Sequence, residues 1–512
     1  MVENKNTLSS KEALILLLSV FIVGFCTIIY ELLIGSVSSY FLGDSIKQFS
    51  VVIGLTMTAM GLGTLISRLI NKNLIYCFIF VEVLLAIIGG LCVPVLYFAY
   101  TIETIYYSVM ILFLLAIGIL IGLEIPLLTR IMEKYYDLKN NISNVLSLDY
   151  LGAFIATIVF PFILLPYLGV FESSVLAGFL NLIVAIMNFY WFKDKILRKK
   201  SVKLVCLIIL ISVFLGGLFL CSKELVKKWE NNIFEDRVIF SKQTRYQKLV
   251  MTKNKEDIRL FIDGNVQFSS IDEYRYHELL VHIPLSLAKN KDNILVLGGG
   301  DGLAAREILK YNDVKNITVV DLDKEMTDLA KNNKYFTKLN QNSFHNKKIE
   351  IKNEDAFKFI ENTDKFYDVI IVDLPDPNNS SLARLYSREF YKILKKKLSF
   401  HGIIVTQATS PFFSTEAFWC INESLKAAGF NHTYPYHIYV PSFGDWGFIM
   451  ASNLKYDINN ININVETKFI DNEVVLNAFK LEKDVQKDKI QYSTLDRPKI
   501  LEYYLNGWRY WN

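Results

Sequence analysis

The sequence is poor in the residues that hold metal ions or form disulfide frameworks. It has only 6 cysteines and 6 histidines in 512 residues, and no two cysteines have the C-x-x-C spacing that is typical of zinc and redox sites. Most of the cysteines lie in or beside apolar runs, and the histidines form no ligand pattern. The net charge of +4 is too small to indicate a nucleic-acid partner. We therefore predict no metal site, no disulfide framework and no nucleic-acid binding.

Long apolar runs occupy the first part of the chain, whereas residues 223–512 have the composition of an ordinary soluble protein. A helix needs about 20 apolar residues to cross a bilayer core. The first run is too long for a signal peptide, and no clear cleavage site ends it. These features predict a multi-pass α-helical membrane domain over residues 1–222, with about seven helices. The runs lie near 13–35, 49–70, 74–99, 104–128, 145–169, 171–192 and 202–222.

Four acidic residues fall inside or at the edge of these runs: Glu31, Glu82, Glu124 and Asp149. A charge in hydrocarbon is costly, so such residues usually face a bundle interior or a cavity. One interpretation is a polar pathway or a small-ligand site. The other is hydrogen bonding between helices, or a position at the membrane interface. The sequence leaves both open.

The stretch Ile294-Leu-Val-Leu-Gly-Gly-Gly-Asp-Gly302 organises the second part of the chain. Four apolar residues predict a buried parallel strand, the glycines predict a tight turn, and a helical pattern follows over 303–311. A second apolar strand, 317–320, ends on Asp321, where an acid can hydrogen-bond ribose hydroxyls. The glycine turn after the first strand and the acid after the second together predict a nucleoside-type cofactor. Because the spacing is not G-x-G-x-x-G, a nicotinamide dinucleotide is not favoured.

The predicted strands, turns and helices on either side of this stretch define the remaining domains. Residues 223–287 predict a connector and a small antiparallel sheet over about 237–270, turned at Asp263-Gly264. A helix follows from Asp272, with Ser270 as its expected cap. Strands and helices then alternate over 288–452, which predicts a doubly wound, Rossmann-like (class I methyltransferase-like) α/β domain. Residues 453–512 form a C-terminal extension, interpreted as an extra packing layer.

Acids follow four successive strands of the α/β domain, where the carboxyl ends of parallel strands bind ligands. Such a cleft selects cations, although the whole chain is mildly basic. Residues 373–377, Asp-Leu-Pro-Asp-Pro, place two carboxylates on a stiff segment after a buried strand. One carboxylate can accept a proton from an alkylammonium group while the other carboxylate binds the amine substrate. The negative field of the cleft also favours a sulfonium donor. The residues are Asp301, Asp321, Asp323, Asp355, Asp373 and Asp376.

Several short sequence motifs follow one another along residues 240–452. They are Tyr276-His277-Glu278, Gly298-Gly-Gly-Asp-Gly302, Arg306-Glu307, Asp321, Glu354-Asp355-Ala356, Asp373-x-x-Asp376-Pro377, Leu385-Tyr-Ser-Arg-Glu-Phe-Tyr391, Val405-Thr-Gln407 and Pro441-Ser-Phe-Gly-Asp-Trp-Gly447. In this order they resemble the spermidine synthases, which are aminopropyltransferases, and the apolar N-terminal half resembles the membrane-fused branch of that family. The resemblance implies an enzyme that transfers an aminopropyl group from decarboxylated S-adenosylmethionine to putrescine or a related amine. It implies no metal and no cofactor beyond this co-substrate.

The resemblance also implies roles for individual residues. Asp373 would be the proton acceptor. The amine would be bound by Tyr276, His277, Asp301, Asp376 and Trp446. The donor would be bound by Gln247, Gly298, Gly300, Asp321 (ribose), Asp355 and Ala356 (adenine) and Pro377. One departure is the segment 378–382, Asn-Asn-Ser-Ser-Leu, which replaces the Gly-Pro-containing loop of soluble relatives. Another is Asp321, where glutamate is common.

Two other functions compete with this interpretation. A small-molecule methyltransferase would share the nucleotide sheet, but the acid-rich cleft would repel the carboxylate of intact S-adenosylmethionine. A membrane polyamine transporter or sensor would carry a degenerate enzyme domain, and intact Asp373 and Asp376 weigh against degeneracy.

The expected location is the cell membrane, with the lipid bilayer as a partner and the catalytic domain in the cytosol, where a nucleoside donor is available. The positive-inside rule disagrees. Most basic residues of the helical half fall on one side of a seven-helix arrangement, and an odd helix count places residues 223–512 on the other side. Soluble relatives form dimers or tetramers, so the resemblance also implies a homo-oligomer. The basic residues are Arg68, Lys72, Arg130, Lys134, Lys139, Lys193, Lys195, Arg198, Lys199 and Lys200.

Overall fold

A computed structural model describes residues 2–42, 45–234 and 236–509. The chain divides into two compact units, Met1–Val238 and Ile239–Asn512, called here the N-terminal and C-terminal units.

The N-terminal unit is built of helices. Seven of those described are long and apolar enough to cross a membrane, which confirms the seven predicted apolar segments. Pro161 interrupts the fifth segment, where residues Phe160–Leu164 form a π-helical turn. Proline lacks the N–H group that a regular helix needs at this position. The helices are α1 (Val2–Leu42), α2 (Ser45–Ser67), α3 (Leu74–Tyr100), α4 (Glu103–Met132), α5 (Leu138–Val159), α6 (Leu165–Tyr167), α7 (Gly169–Phe192) and α8 (Arg198–Ile233).

Two of the four acids predicted inside the apolar segments meet in the interior of this unit. Glu82 on α3 and Glu124 on α4 are fully buried, and they lie close enough for their charges to interact. The amide of Asn181 donates to Glu82 at 2.9 Å and accepts from the hydroxyl of Tyr30 at 2.7 Å. The helices are therefore joined by polar contacts. Whether the acids also serve a polar pathway stays a hypothesis.

The C-terminal unit begins with a four-stranded antiparallel sheet in the order β1-β2-β3-β4, as predicted. Asp263 and Gly264 make the turn between β3 and β4, both with positive φ, at 49° and 82°. The strands are β1 (Arg237–Gln243), β2 (Lys248–Asn254), β3 (Asp257–Ile262) and β4 (Asn265–Ser269).

The next helix, α9 (Glu273–Leu287), begins at the predicted place but without the predicted cap. Its N-cap residue is Asp272, whose side chain makes no capping hydrogen bond. Ser270 instead belongs to the end of the sheet, because its hydroxyl accepts from the N–H of Ile258 at 2.8 Å and lies 3.0 Å from Asp257 Oδ1. The Ser270 side chain therefore hydrogen-bonds the neighbouring strand β3 and does not form the helix cap that the sequence pattern had predicted.

A seven-stranded sheet follows, in the order β10-β11-β9-β8-β5-β6-β7. The first five strands in the chain are parallel, as predicted. The sequence did not predict the last two, which add an antiparallel edge. The strands are β5 (Asn293–Gly298), β6 (Asn316–Val320), β7 (Ile349–Lys352), β8 (Tyr367–Asp373), β9 (Leu398–Gln407), β10 (His432–Val440) and β11 (Gly444–Ser452).

Helices cover both faces of this sheet. Ile294 and Val296 of β5 pack into one buried cluster, and Leu295 and Leu297 pack into a second. This alternation explains the continuous apolar run, because both faces of a covered parallel strand are buried. The chain leaves β5 towards β6 on one side and returns to β8 on the other, so the crevice opens at the carboxyl end of β5. The helices are α10 (Leu303–Ile308), α11 (Lys324–Asn332), α12 (Lys334–Leu339), α13 (Ala356–Asn362), α14 (Ser380–Ala383), α15 (Arg388–Lys396), α16 (Thr415–Ala427), α17 (Asn472–Ala478) and α18 (Lys499–Arg509).

Candidate active site

The glycine turn after β5 brings two acids of neighbouring strands close to the backbone. A β-carbon added to Gly298 would lie 1.9 Å from the carbonyl oxygen of Asp373, and one added to Gly300 would lie 2.4 Å from Oδ2 of Asp321. Gly298 also has a φ of 84°, which favours glycine. The turn therefore needs glycine at position 298, whereas glycine at position 300 leaves the space that the Asp321 carboxylate occupies.

Asp321 lies at the end of β6, where the sequence placed it. Its carboxylate accepts from the N–H of Asp323 at 2.8 Å and from the N–H of Gly300. Burial raises its pKa to about 7. Gln247 hydrogen-bonds Asp323, which also accepts from Thr244 at 2.7 Å. The structure thus brings Gln247 to the same edge as Asp321, through Asp323.

Asp355 and Ala356 lie at the next strand end, at the start of α13. Asp355 caps this helix by accepting from the N–H of Lys358 at 3.1 Å. Its other oxygen pairs with the guanidinium group of Arg384, a residue that the sequence had not assigned to the site. The pair holds the carboxylate in place beside the end of β7.

Asp373 ends β8 and is held by Tyr276. The hydroxyl of Tyr276 donates to Oδ1 of Asp373 at 2.7 Å, while the N–H of Gly299 donates to the backbone carbonyl of Asp373 at 3.0 Å. Burial raises the pKa of Asp373, although the His277 charge and the Tyr276 hydrogen bond oppose this change. The carboxylate therefore keeps Oδ2 available and is more basic than an exposed aspartate.

His277 is a buried cation in this site. Burial alone would lower its pKa, but the hydrogen bond and charge of Glu273, with Asp301 and Asp373 nearby, raise it to about 9. Nδ1 of His277 lies 2.8 Å from Oε2 of Glu273. Arg306 clamps Glu273 through two contacts of 2.8 and 3.0 Å. The sequence grouped His277 with the amine site and gave no signal for the Glu273–Arg306 clamp.

Asp301 faces the same group of charges. Burial raises its pKa to about 6, the charge of His277 lowers it, and the charge of Asp373 raises it. One oxygen of Asp301 accepts from the N–H of Leu303 at 2.8 Å. Asp301, His277 and Asp373 are therefore one electrostatic group, in which the imidazolium compensates part of the negative charge.

Asp376 forms the far end of the row of acids. It accepts from the side chain of Gln407 at 3.2 Å, lies 3.5 Å from the hydroxyl of Thr409 and is hydrogen-bonded by Tyr504. Burial raises its pKa to about 6, against these hydrogen bonds. The following residue, Pro377, is buried. Tyr504 lies in the C-terminal extension, and the sequence contained no local signal for this contact.

Aromatic rings form one wall beside these acids. The Trp446 ring lies 4.8 Å from that of Phe443, which lies 6.1 Å from that of Tyr276. Nε1 of Trp446 has no hydrogen-bond partner among the described residues. The segment 378–382, which departs from the expected loop, includes α14, and Asn379 caps this helix by accepting from the N–H of Leu382 at 3.0 Å.

The structure therefore brings the predicted residues to one edge of the sheet. Within residues 2–42, 45–234 and 236–509, no group of three or more His, Cys, Asp or Glu side chains is arranged to hold a metal ion. The absence of a metal requirement stays a prediction. What the arrangement offers is a row of carboxylates beside a glycine turn and an aromatic wall.

Comparisons with known proteins point to one family. The Spermine/spermidine synthase domain matches residues 273–464. A polyamine aminopropyltransferase of Oceanobacillus iheyensis is 39% identical over 496 residues, covering 95% of this chain and 96% of the relative. One from Leptospira interrogans is 38% identical over 498 residues, covering 96% and 98%. The crystal structure of spermidine synthase from Thermotoga maritima is 26% identical with a TM-score of 0.44, covering 48% of this chain and 86% of that one.

Proposed function

Because the chain belongs to the polyamine aminopropyltransferase family, we infer that it transfers an aminopropyl group from decarboxylated S-adenosylmethionine to putrescine or a related amine. The observation that carries this assignment is the pair of carboxylates Asp373 and Asp376 at the end of β8, each held by a phenol hydroxyl. The products are a longer polyamine such as spermidine and 5'-methylthioadenosine.

The reaction begins with deprotonation of the acceptor. An alkylammonium has no free electron pair, so it must lose a proton before it can attack. Oδ2 of Asp373 is the acceptor for that proton, since Tyr276 occupies Oδ1. The neutral amine nitrogen then attacks the methylene carbon next to the sulfonium. A C–N bond forms, the C–S bond breaks, and its electron pair remains on sulfur in methylthioadenosine.

The donor is bound along the carboxyl ends of β5, β6 and β7. We propose that Asp321 binds the ribose hydroxyls, since it ends the second strand of the sheet and glycine at position 300 leaves room for its carboxylate beside the glycine turn. Asp355 and Ala356 lie where the adenine is expected, at the start of α13. Gly298, Gln247 and Pro377 complete the donor side.

The acceptor lies between the acids and the aromatic wall. Asp376 and Asp301 bind its ammonium groups, and Trp446 covers its alkyl chain. His277 and Tyr276 orient the acids rather than bind the alkyl chain, because both are already engaged with carboxylates. A cleft of this charge also attracts the sulfonium of the donor.

Incubation of the full chain with each donor tests the assignment. With decarboxylated S-adenosylmethionine and putrescine we expect spermidine and methylthioadenosine in equal amounts. With intact S-adenosylmethionine we expect no methylated amine, because its carboxylate meets the row of acids. Methyl transfer without aminopropyl transfer would establish the competing methyltransferase function instead.

We also propose that the seven long helices span the cell membrane and that the active site faces the cytosol. The length and composition of the helices support the first part. The need for a nucleoside donor supports the second, whereas the basic residues at the helix ends argue for the opposite side. A reporter that is active only in the cytosol, fused after Asn512, distinguishes the two orientations.

A further inference from the structure

The C-terminal helix α18 contributes a residue to the amine side of the site. Tyr504 on this helix hydrogen-bonds the carboxylate of Asp376. The helix spans Lys499–Arg509, whereas the Spermine/spermidine synthase domain matches only residues 273–464. A side chain from outside the matched domain thus touches an acid that we assign to the acceptor.

Tight packing fixes α18 in this position. A β-carbon added to Gly507 would lie 2.8 Å from Oγ of Ser414 and 3.0 Å from the carbonyl oxygen of Phe413. The next residue, Trp508, stacks on Phe413 with ring centroids 5.5 Å apart and an angle of 23°. Ile500, at the other end of the helix, is fully buried. The position of Tyr504 therefore follows from the packing of its whole helix.

Phe413, on which α18 packs, also contacts the strand that carries Trp446. Phe413 also packs on Gly444, where an added β-carbon would lie 2.6 Å from its ring. Gly444 begins β11, which carries Trp446 two residues later. Phe413 therefore lies between α18 and the strand that positions Trp446, so the helix supports two sides of the acceptor site.

We propose that α18 is a wall of the acceptor site and that Tyr504 determines which amine is accepted. This inference rests on the proposed function. Tyr276 and Tyr504 bracket the two carboxylates, one phenol on Asp373 and the other on Asp376. Because Tyr504, Gln407 and Thr409 already surround Asp376, its carboxylate has room for one terminal ammonium group. The site therefore selects a short α,ω-diamine and disfavours an amine that continues past Asp376.

The test compares Tyr504→Phe, which keeps the ring and removes the hydroxyl, with Tyr504→Ala, which also opens the wall. The hydroxyl of Tyr504 contacts Asp376 and not the amine, so its loss weakens amine binding through the orientation of this carboxylate, by at most the about 10- to 100-fold that a hydrogen bond to a charged group is worth. For Tyr504→Phe we expect a rise of about tenfold in KM and Kd for putrescine, with kcat within about twofold and binding of methylthioadenosine unchanged. For Tyr504→Ala we expect the preference for putrescine over spermidine as acceptor to fall by about tenfold. Tyr503→Phe, on the same helix, is the matched control and should leave KM, Kd, kcat, methylthioadenosine binding and acceptor preference unchanged.

Putrescine binding, measured by calorimetry with methylthioadenosine present, separates the two proposals. If the wild-type chain binds putrescine but transfers no aminopropyl group, the proposed function fails, and a weaker affinity in Tyr504→Phe still supports the acceptor wall. If the wild type is active and Tyr504→Phe matches it in KM, Kd and acceptor preference, the role of Tyr504 is wrong. If Tyr504→Phe lowers both kcat and Tm but leaves KM unchanged, the helix only supports the fold, and the role of Tyr504 in the acceptor site is wrong. A wild type that neither binds nor uses diamines would overturn both.

Discussion

Tyr276 donates its hydroxyl to Oδ1 of Asp373 at 2.7 Å and so makes the two oxygens of this carboxylate inequivalent. One oxygen accepts the hydroxyl of Tyr276, and in the proposed reaction the other oxygen receives the proton of the acceptor amine. The helix that carries Tyr276 and the strand that carries Asp373 are far apart in the sequence. We propose that their contact sets the direction from which the amine approaches.

Asp373→Asn should remove the proton acceptor and leave the donor site intact. A positioned base contributes about 100- to 10,000-fold to a rate, so kcat should fall by a factor in this range. Methylthioadenosine should bind with unchanged affinity, because the ribose and adenine contacts are made at other strands. Asp376→Asn is the matched control, and we expect it to raise KM for the amine more than it lowers kcat. Unchanged turnover in Asp373→Asn would contradict the role of the base.

The charge of His277 should make the stability of the C-terminal unit depend on pH. Glu273 helps to hold the His277 pKa at about 9, above its ordinary value of 6.5. A native pKa above the unfolded value means that the native state binds the proton more tightly. The stabilisation is therefore complete below about pH 6.5 and is lost as the pH rises through about 9. We expect thermal denaturation to show a falling Tm over this window.

His277→Gln tests the assignment of that pH dependence. The variant cannot titrate, so its Tm should be lower than that of the wild type at pH 6.5 and close to it at pH 9.5. His345→Gln is a control at a histidine outside the active site. The same slope in wild type and His277→Gln would assign the titration to another group.

Binding of a diamine should release protons near pH 6. Burial raises the pKa values of Asp301 and Asp376 to about 6, so both are partly protonated at that pH. An ammonium group at hydrogen-bonding distance favours the carboxylate and lowers its pKa, which expels the proton. Putrescine affinity should therefore fall as the pH drops below about 6. Calorimetry in two buffers of different ionisation enthalpy should show about one proton released at pH 6, about half from each carboxylate, and almost none at pH 8.

Asp376→Asn should release fewer protons than the wild type in that experiment. Asp301 has the same pKa of about 6 with the charge of His277 included, so it should still release its share, and the variant should release about half as many protons as the wild type. If the release is the same at pH 6 and pH 8, the carboxylates are not the groups that titrate.

Local patterns were sufficient to predict most of the fold and the row of acids. The strand Ile294–Leu297, the glycines and Asp321 lie within about 30 residues, and each element is specified by its own periodicity and turn residues. The edge where the acids meet follows from the topology of a parallel sheet. The apolar segments of the N-terminal unit were predicted for the same reason, because length and hydropathy are local properties.

Contacts between distant segments could not be predicted in this way. Tyr504 reaches Asp376 across more than a hundred residues, and no local pattern marks it. The Glu273–Arg306 clamp depends on how α9 packs against α10. The cap predicted at Ser270 was wrong because a neighbouring strand competed for its hydroxyl. In each case tertiary packing decides which partner a polar side chain takes.

Gly300→Ala should damage the donor site without a large effect on folding. The added methyl group would lie 2.4 Å from Oδ2 and 2.6 Å from Cγ of Asp321, so this side chain must move away from the ribose position. We expect the Kd for methylthioadenosine to rise by about 10- to 100-fold, as for the loss of a hydrogen bond to a charged group. The control is Gly216→Ala, where an added β-carbon meets nothing within 4 Å and alanine favours the helix. If Gly300→Ala binds methylthioadenosine as tightly as the control, Asp321 does not hold the ribose, because a displaced carboxylate cannot make the contact that the glycine turn leaves open.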